Sequence, residues 1–140
     1  DQGATQVAKQ KAKDALNTYP NVDVMVGLFA YNPPAMLQAI KQANKSDKVK
    51  VAGFDEDDAT LQGIKNGTVI GTVVQNPYEY GYQSVRILSE LLKGNKKVIP
   101  ASKYIDVPAR AVTKDGRKIG GKSTENVDEF WADLKEKVGN

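Results

Sequence analysis

Short apolar runs alternate with amphipathic segments along almost the whole chain, and this alternation limits the folds that are available to it. Apolar runs of four to eight residues that are bounded by turn residues are typical of strands buried on both faces. The segments between them carry apolar residues at helical spacing. The sequence therefore predicts an α/β fold in which right-handed crossovers build a parallel sheet.

The predicted elements follow the order α-β-α-β-α-β-α-β-α. Strands are expected at residues 24–31, 48–54, 69–74 and 104–107, with Pro108 limiting the pairing of the last. Helices are expected at residues 4–18, from about residue 34, from Asp57 or Asp58 to Asn66-Gly67, at about 78–93, and at 125–138. Residues 113–124 are polar and glycine-rich, which predicts a surface loop. The cap of the last helix is expected from Ser123, Thr124 or Asn126.

Missing residue types exclude several classes of chemistry. The chain has no cysteine and no histidine, which removes Cys/His nucleophiles, a histidine general base and nearly all zinc sites. It has no glycine-rich phosphate loop. The net charge of +3 comes from scattered lysines rather than from an arginine stripe, so nucleic-acid binding is not expected. We therefore predict a non-enzymatic chain without a metal or cofactor. It contains no apolar run of the roughly 18 residues that a membrane span needs.

Three successive predicted strands end in a polar side chain: Asn32, Asp55 and Gln75. In an open parallel sheet, ligands bind beyond the carboxyl ends of the strands, so these residues are expected to share one edge. Together they offer two amides and a carboxylate, which can donate to and accept from vicinal hydroxyl groups. The sequence thus predicts a site for a small polar ligand of sugar-like chemistry.

Each of these residues also has a purely structural interpretation. Asn32 can serve as a turn or capping residue before Pro33. Asp55 can cap a helix, although Asp57 and Asp58 are better placed for that role. Gln75 is the most informative, because glutamine is not a favoured cap or turn residue. The acidic run at residues 55–58 also permits a magnesium or phosphoryl-acceptor site, but the amides at the other strand ends fit such a site poorly.

Several motifs together resemble the carboxy-terminal portion of periplasmic sugar-binding proteins. These are ribose-binding-like, type I substrate-binding proteins of ABC importers. The resemblance runs from residue 1 to about 112 and weakens in the tail. It rests on Val-Gly-Leu-Phe-Ala-Tyr-Asn (26–32), Val-Ala-Gly-Phe-Asp (51–55), Ile-Lys-Asn-Gly (64–67), Gly-Thr-Val-Val-Gln-Asn-Pro (71–77), Tyr80-Gly81 and Leu-Leu-Lys-Gly (91–94).

The resemblance implies a three-layer lobe with a parallel sheet, which is incomplete without the amino-terminal portion of the protein. Residues 1–76 would form part of the carboxy-terminal lobe, with Asn32, Asp55 and Gln75 binding the hydroxyls of a sugar. Residues 77–100 would follow a hinge crossing and place a helix in the other lobe, and residues 101–140 would return. The helix at 78–93 has Tyr82, Val85, Leu88, Leu91 and Leu92 on its core face, and without its partner lobe it would expose Val85, Leu88 and Leu92.

The same resemblance implies a receptor that closes around its sugar and docks on an ABC permease, in the periplasm or another extracytoplasmic space. Many relatives carry Asp after the strand-end Asn, where this chain has Pro33, so the sugar is left unassigned. A second hypothesis is the effector domain of a regulator related to the lactose repressor, which shares the fold. The Val-Thr-Lys-Asp stretch at 112–115 favours transport. A third class, an enzyme or phospho-receiver built around Asp55, remains open because fold alone does not decide function.

Overall fold

The computed structural model of the chain describes residues 3–138, which fall into two compact units. The first unit contains the chain up to Val74 and again from Ala111 onward. The second unit is the intervening segment from Gln75 to Arg110. The chain thus leaves the first unit directly after the third predicted strand and returns to it beside Arg110.

The elements of the first unit alternate between helix and strand up to Val74, as the sequence predicts, and after the second unit four short strands follow one another before the last helix. They are α1 (Thr5–Thr18), β1 (Val24–Val26), α2 (Asn32–Gln42), β2 (Lys50–Phe54), α3 (Asp58–Asn66), β3 (Val69–Val74), β4 (Arg110–Thr113), β5 (Lys118–Ile119), β6 (Lys122–Ser123), β7 (Glu125–Asn126) and α5 (Val127–Val138). The first residue of β4, Arg110, is the last residue of the second unit. The second unit contains α4 (Pro77–Leu92) and a 3₁₀ turn at Lys96–Val98.

Five of these strands form one sheet in the order β1-β2-β3-β4-β7. The pairs β1–β2, β2–β3 and β4–β7 are parallel, and β5 and β6 form a separate antiparallel pair. Strands that are neighbours both in the chain and in the sheet need a crossover helix between them, which α2 and α3 provide. The predicted α/β class with a mostly parallel sheet is therefore confirmed.

The core lies between the sheet and a row of helices in which α1 contacts α2, α2 contacts α3, and α3 contacts α5. Consecutive right-handed crossovers in one direction along a sheet place their helices on the same face. The opposite face exposes Val24, Val26, Phe54 and Ile70. A three-layer lobe needs a further layer on that face. The largest fully buried side chains of the core include Val51, Leu61, Ile64, Val69, Val74, Val112 and Val127.

Two strand predictions were wrong. The first strand ends at Val26 instead of residue 31, and residues 28–31 form a turn. Exposed and buried residues alternate along this strand, so it is not buried on both faces. No strand forms at residues 104–107, which are mostly exposed. Because proline cannot donate to a ladder, Pro108 displaces the strand to Arg110–Thr113. There Val112 and Thr113 are buried beside β3.

Residues 113–124 contain more structure than the predicted loop. The antiparallel pair β5–β6 lies within them. The buried hydroxyls of Thr113 and Thr124 form a hydrogen bond of 2.6 Å, and the Thr124 hydroxyl also donates to the Arg117 carbonyl at 2.7 Å. These bonds satisfy polar groups that would otherwise be costly to bury.

The predicted caps are confirmed for α3 and α5, but α5 begins at Val127 instead of residue 125, because Glu125–Asn126 pair with β4 as β7. The Ala59 N–H donates to the Asp57 carboxylate at 2.9 Å, and Gly67 ends α3 with a φ of 81°. The Asp128 N–H donates to the Asn126 side chain at 2.8 Å, so Asn126 is the cap of α5 among the three predicted candidates. Left-handed backbone at a helix end favours glycine, which explains Gly67.

The apolar face of α4 does not form a core within this chain. No residue of α4 is buried. Val85 is 69% exposed, Leu88 61% and Leu92 90%. The exposure predicted for these three side chains is therefore confirmed. A helix with such an apolar stripe is built to pack against another surface.

Two buried threonines provide a matched test of polar burial. The Thr60 hydroxyl in α3 has no hydrogen-bond partner among the described residues, whereas the Thr72 hydroxyl donates to the Asp55 carbonyl at 2.8 Å. We expect Thr60→Val to raise the free energy of unfolding by about 1 kcal/mol, because a buried unpaired hydroxyl is removed. Thr72→Val should lower it by about 1 kcal/mol. Urea unfolding of the full-length protein measures both changes, and a destabilised Thr60→Val would contradict the prediction.

Candidate functional site

Asn32 is the first residue of α2 rather than the last residue of a strand, because β1 ends at Val26 and a turn intervenes. It is only 7% exposed. The Phe29 N–H donates to the Asn32 side-chain oxygen at 3.1 Å, which holds the turn and the amide together. The carbonyl end of this amide is thus committed to the backbone, and the NH₂ end is a donor.

Two glycines allow the start of α2 to pack closely on the ends of β1 and β2. A Cβ atom on Gly27 would lie 2.8 Å from the Asn32 Cβ and 2.9 Å from the Pro33 Cδ. A Cβ atom on Gly53 would lie 2.8 Å from the Pro33 Cγ. All three distances are shorter than the contacts that real Cβ atoms make. The buried Pro33 therefore fills the space left by both glycines and brings Asn32 to this edge of the sheet.

Asp55 directly follows β2, at the same edge and two residues after Gly53. Its backbone is left-handed, with a φ of 67°. The Asp55 N–H donates to the Val73 carbonyl at 2.9 Å, and the Asp55 carbonyl accepts from the Thr72 hydroxyl at 2.8 Å. Aspartate tolerates left-handed backbone better than most residues, and such conformations concentrate at functional sites. Its side chain is therefore presented, half-exposed, from a firmly anchored backbone.

Gln75 directly follows β3 and is the first residue of the second unit. It is exposed. The next residue, Asn76, caps α4 by accepting from the Glu79 N–H at 3.2 Å, and Pro77 occupies the first helical position. Local geometry therefore accounts for Asn76 and Pro77, whereas no side-chain hydrogen bond of Gln75 is found within residues 3–138. That Gln75 joins Asn32 and Asp55 stays a prediction.

The acidic run after β2 serves mainly to begin a helix. Asp57 caps α3, and the exposed Asp58 lies in its first turn, where negative charge is favourable. Within residues 3–138, no group of three Asp, Glu, His or Cys side chains is arranged to hold a metal ion. None of the described helices is long and apolar enough to cross a membrane.

Two groups of the second unit have a shifted pKa: hydrogen bonds from Asn95 and Lys93 lower the pKa of Glu90, and the pKa of Tyr104 is raised. The Asp106 carboxylate raises the pKa of Tyr104, by its charge and by accepting the phenolic hydrogen bond at 3.2 Å. Both side chains are exposed. The pair therefore marks a surface contact rather than a reactive centre.

Sequence reasoning missed the residues that position the site. Gly27, Gly53 and Pro33 shape the edge without offering a polar group, so a search for polar strand ends passes over them. The rings of Phe29 and Tyr31 also stack in the turn before Asn32, with centroids 5.9 Å apart and planes within 4°. The sequence signal that could have identified them is the glycine inside each apolar run. A glycine in a strand often marks a place where another part of the chain approaches the backbone closely.

The close approach at Gly53 yields a direct test. We expect Gly53→Ala to lower the free energy of unfolding by about 1–3 kcal/mol, because the new methyl group must displace Pro33. Gly81→Ala is the matched control: nothing lies within 4 Å of its added Cβ, and it lies inside α4. That change should raise the free energy by about 0.5–1 kcal/mol. Equal effects in urea unfolding would contradict the packing argument.

Comparison with known proteins supports the architecture. A family model described as the periplasmic binding protein domain matches residues 1–96. The ribose import binding protein of Haemophilus influenzae is 33% identical over 100 residues, and the match covers 66% of this chain and 34% of that protein. This chain thus spans about a third of the length of that curated relative.

Solved structures show the same likeness. The structure of an arabinose binding protein from Geobacillus stearothermophilus has a TM-score of 0.71 and 29% identity, covering 91% of this chain and 42% of that one. A carbohydrate transporter solute binding protein from Agrobacterium radiobacter, in complex with D-arabinose, has a TM-score of 0.66 and 34% identity, covering 80% and 37%. The match over more than half of the residues shows that this chain belongs to the periplasmic binding protein domain family.

Proposed function

We propose that this chain is the carboxy-terminal part of a solute-binding receptor of an ABC importer. The receptor binds a monosaccharide or similar polyol in a cleft between two lobes, outside the cytoplasm, and delivers it to a permease. The observation that carries the proposal is that Asn32 and Asp55 lie at one edge of the sheet. The glycine–proline contacts position Asn32, and hydrogen bonds to β3 hold Asp55. Family membership and the names of the relatives support the sugar.

The chemistry of the pair suits a hydroxylated ligand. The Asp55 carboxylate accepts two hydroxyl hydrogens, and the Asn32 NH₂ group donates. Hydrogen bonds to a charged group are stronger than neutral ones, particularly once water is excluded. Gln75, proposed as the third ligand residue, would add one more donor and acceptor. Asp55 is the single carboxylate of this set, whereas glycoside hydrolysis uses a pair of carboxylates, so we propose binding without catalysis.

The division of the chain supports a receptor with two lobes and a hinge. The units change between Val74 and Gln75 and again at Arg110. We propose that residues 1–76 belong to the carboxy-terminal lobe, that residues 77–100 place α4 in the other lobe, and that residues 101–140 return. Chain crossings of this kind are where domain closure is accommodated.

The amino-terminal portion of the longer protein is the proposed partner of α4. Val85, Leu88 and Leu92 form an exposed stripe on this helix. Exposed apolar side chains at helical spacing are stabilised when another surface covers them. The ABC permease is a separate proposed partner, and it follows from the import function of the relatives rather than from this stripe.

Ligand binding is tested by calorimetry on the full-length protein with a panel of pentoses, hexoses and polyols. We expect one class of monosaccharide to bind with 1:1 stoichiometry. Asp55→Gly should weaken that binding by about 10- to 100-fold, because it removes a charged acceptor while keeping a residue that tolerates the left-handed backbone. Asp58→Asn, an exposed neighbour in the first turn of α3, is the control and should leave affinity unchanged. Failure of every sugar and polyol to bind would overturn the proposal.

The dependence on an amino-terminal partner is tested by thermal unfolding. We expect the isolated 140 residues to unfold over a broad range and to associate, because the α4 stripe and one face of the sheet are exposed. The full-length protein should unfold in a sharper transition at higher temperature. Replacing Leu88 and Leu92 by glutamine should reduce association of the isolated chain and destabilise the full-length protein. A sharp, cooperative transition of the isolated chain would count against the partner.

A further inference from the structure

The segment between β4 and β7 contains an exposed and tightly turned hairpin. Its strands Lys118–Ile119 and Lys122–Ser123 are antiparallel. Gly120 and Gly121 connect them, with φ values of 56° and 79°. Two consecutive residues with positive φ are typical of a type I′ turn, which matches the twist of the flanking strands. Within residues 3–138, nothing beyond the neighbouring residues lies within 4 Å of a Cβ added at either glycine, so the tip packs against nothing in this chain.

Hydrogen bonds fix the base of this hairpin to the first unit. The Thr124 N–H donates to the Arg117 carbonyl at 2.9 Å, and the Thr124 hydroxyl forms its bond with the Thr113 hydroxyl of β4. The Asn126 side chain in β7 donates to the Lys114 carbonyl at 3.0 Å. A two-stranded hairpin alone is only marginally stable in water. These bonds therefore anchor the base, while the tip remains open to solvent.

The hairpin also carries the excess positive charge of the chain. Residues 114–122 contain one acid, Asp115, and four cations, Lys114, Arg117, Lys118 and Lys122. Their net charge of +3 equals that of the whole chain, so the other residues are neutral in total. All four cations are exposed, and none of them forms an ion pair within residues 3–138. Their charge is therefore available to an anionic surface.

An apolar side chain lies among these cations at the tip. Ile119 is 53% exposed. It faces the same side as its cross-strand partner Lys122, whereas Lys118 faces the opposite side, because side chains alternate along a strand. Cations therefore flank Ile119 on both faces of the hairpin. Segments that bind at a membrane interface combine these groups: the apolar side chain enters the boundary between headgroups and acyl chains, and the cations stay near the phosphates.

We propose that this hairpin docks, tip first, on an anionic lipid surface, with Ile119 at the headgroup boundary and Lys118 and Lys122 against lipid phosphates. The inference goes beyond the proposed sugar receptor and does not depend on its binding site. An acidic protein is a poorer partner, because a stable protein interface buries about 800 Å² on each side. Two glycines and one apolar side chain offer far less area than that. Attraction to a lipid surface instead adds up over the cations that reach it.

Co-sedimentation of the full-length protein with lipid vesicles tests the docking. We expect binding to phosphatidylcholine vesicles that contain about one third phosphatidylglycerol, and binding at least about 10-fold weaker to phosphatidylcholine alone. Raising the salt concentration from about 0.1 M to about 0.5 M should weaken the binding, because salt screens exposed charges. Equal binding to both kinds of vesicle, or binding that salt leaves unchanged, would overturn the proposal.

Matched variants test whether the hairpin is the docking site. Replacing Lys118 and Lys122 by glutamine should weaken binding to the anionic vesicles by about 10- to 30-fold, and Ile119→Ser should weaken it by about 3- to 10-fold. Replacing Lys96 and Lys97 by glutamine is the control. Both are exposed lysines outside the hairpin, so the net charge changes equally and binding should be retained. An equal loss from both double variants would show that net charge alone binds, and would overturn the docking site.

Two competitors distinguish a lipid surface from other anions. Inorganic phosphate that displaces the protein better than chloride at equal ionic strength would overturn the proposal in favour of a free-phosphate site. Binding to polyglutamate instead of vesicles, lost when Lys118 and Lys122 are replaced, would overturn it in favour of an acidic protein. Sugar binding is measured separately by calorimetry. Vesicle binding without sugar binding would overturn the receptor function alone, and sugar binding without vesicle binding would overturn the docking alone.

Discussion

The close packing of Asn32 and Pro33 on Gly27 and Gly53 is the contact on which the candidate site depends. It lets the start of α2 approach the ends of two strands to distances that a Cβ atom would forbid. Interiors packed at this density have little room to relax, so the position of the Asn32 amide is set by the backbone of the sheet. Polar side chains at a sheet edge become a site when their positions are fixed in this way.

The position of Asp55 is also fixed, but by backbone hydrogen bonds instead of close packing. Its left-handed backbone is held on both sides by β3, through the Val73 carbonyl and the Thr72 hydroxyl. Left-handed backbone outside glycine costs some stability. A ligand gains affinity when the groups that bind it need not be ordered first. The stability lost to the left-handed backbone of Asp55 is therefore what we expect if its carboxylate is ordered before the proposed ligand binds.

The sequence predicts the alternation of elements, the parallel sheet and most helix ends, because periodicity and capping are local properties. It places Asn32 at the wrong element, since the apolar run from Val24 to Tyr31 continues through a turn, and hydrophobicity does not distinguish a turn from a strand. It misplaces the fourth strand because the burial of Val112 and Thr113 depends on β3, which is distant in the chain. The role of Gly53 depends equally on Pro33, a contact that no local pattern contains.

Exposure in this chain is concentrated where packing would otherwise continue: along α4, across one face of the sheet and at the outer edge of β1. The helix-covered side of the sheet, in contrast, has buried side chains from α1, α2, α3 and α5. A chain that was selected to stand alone would place polar residues at its edges and open faces. The contrast between a well-packed side and unprotected apolar surfaces argues that these residues were shaped for a larger body. In such a body the candidate site described here would form only one wall of the proposed cleft.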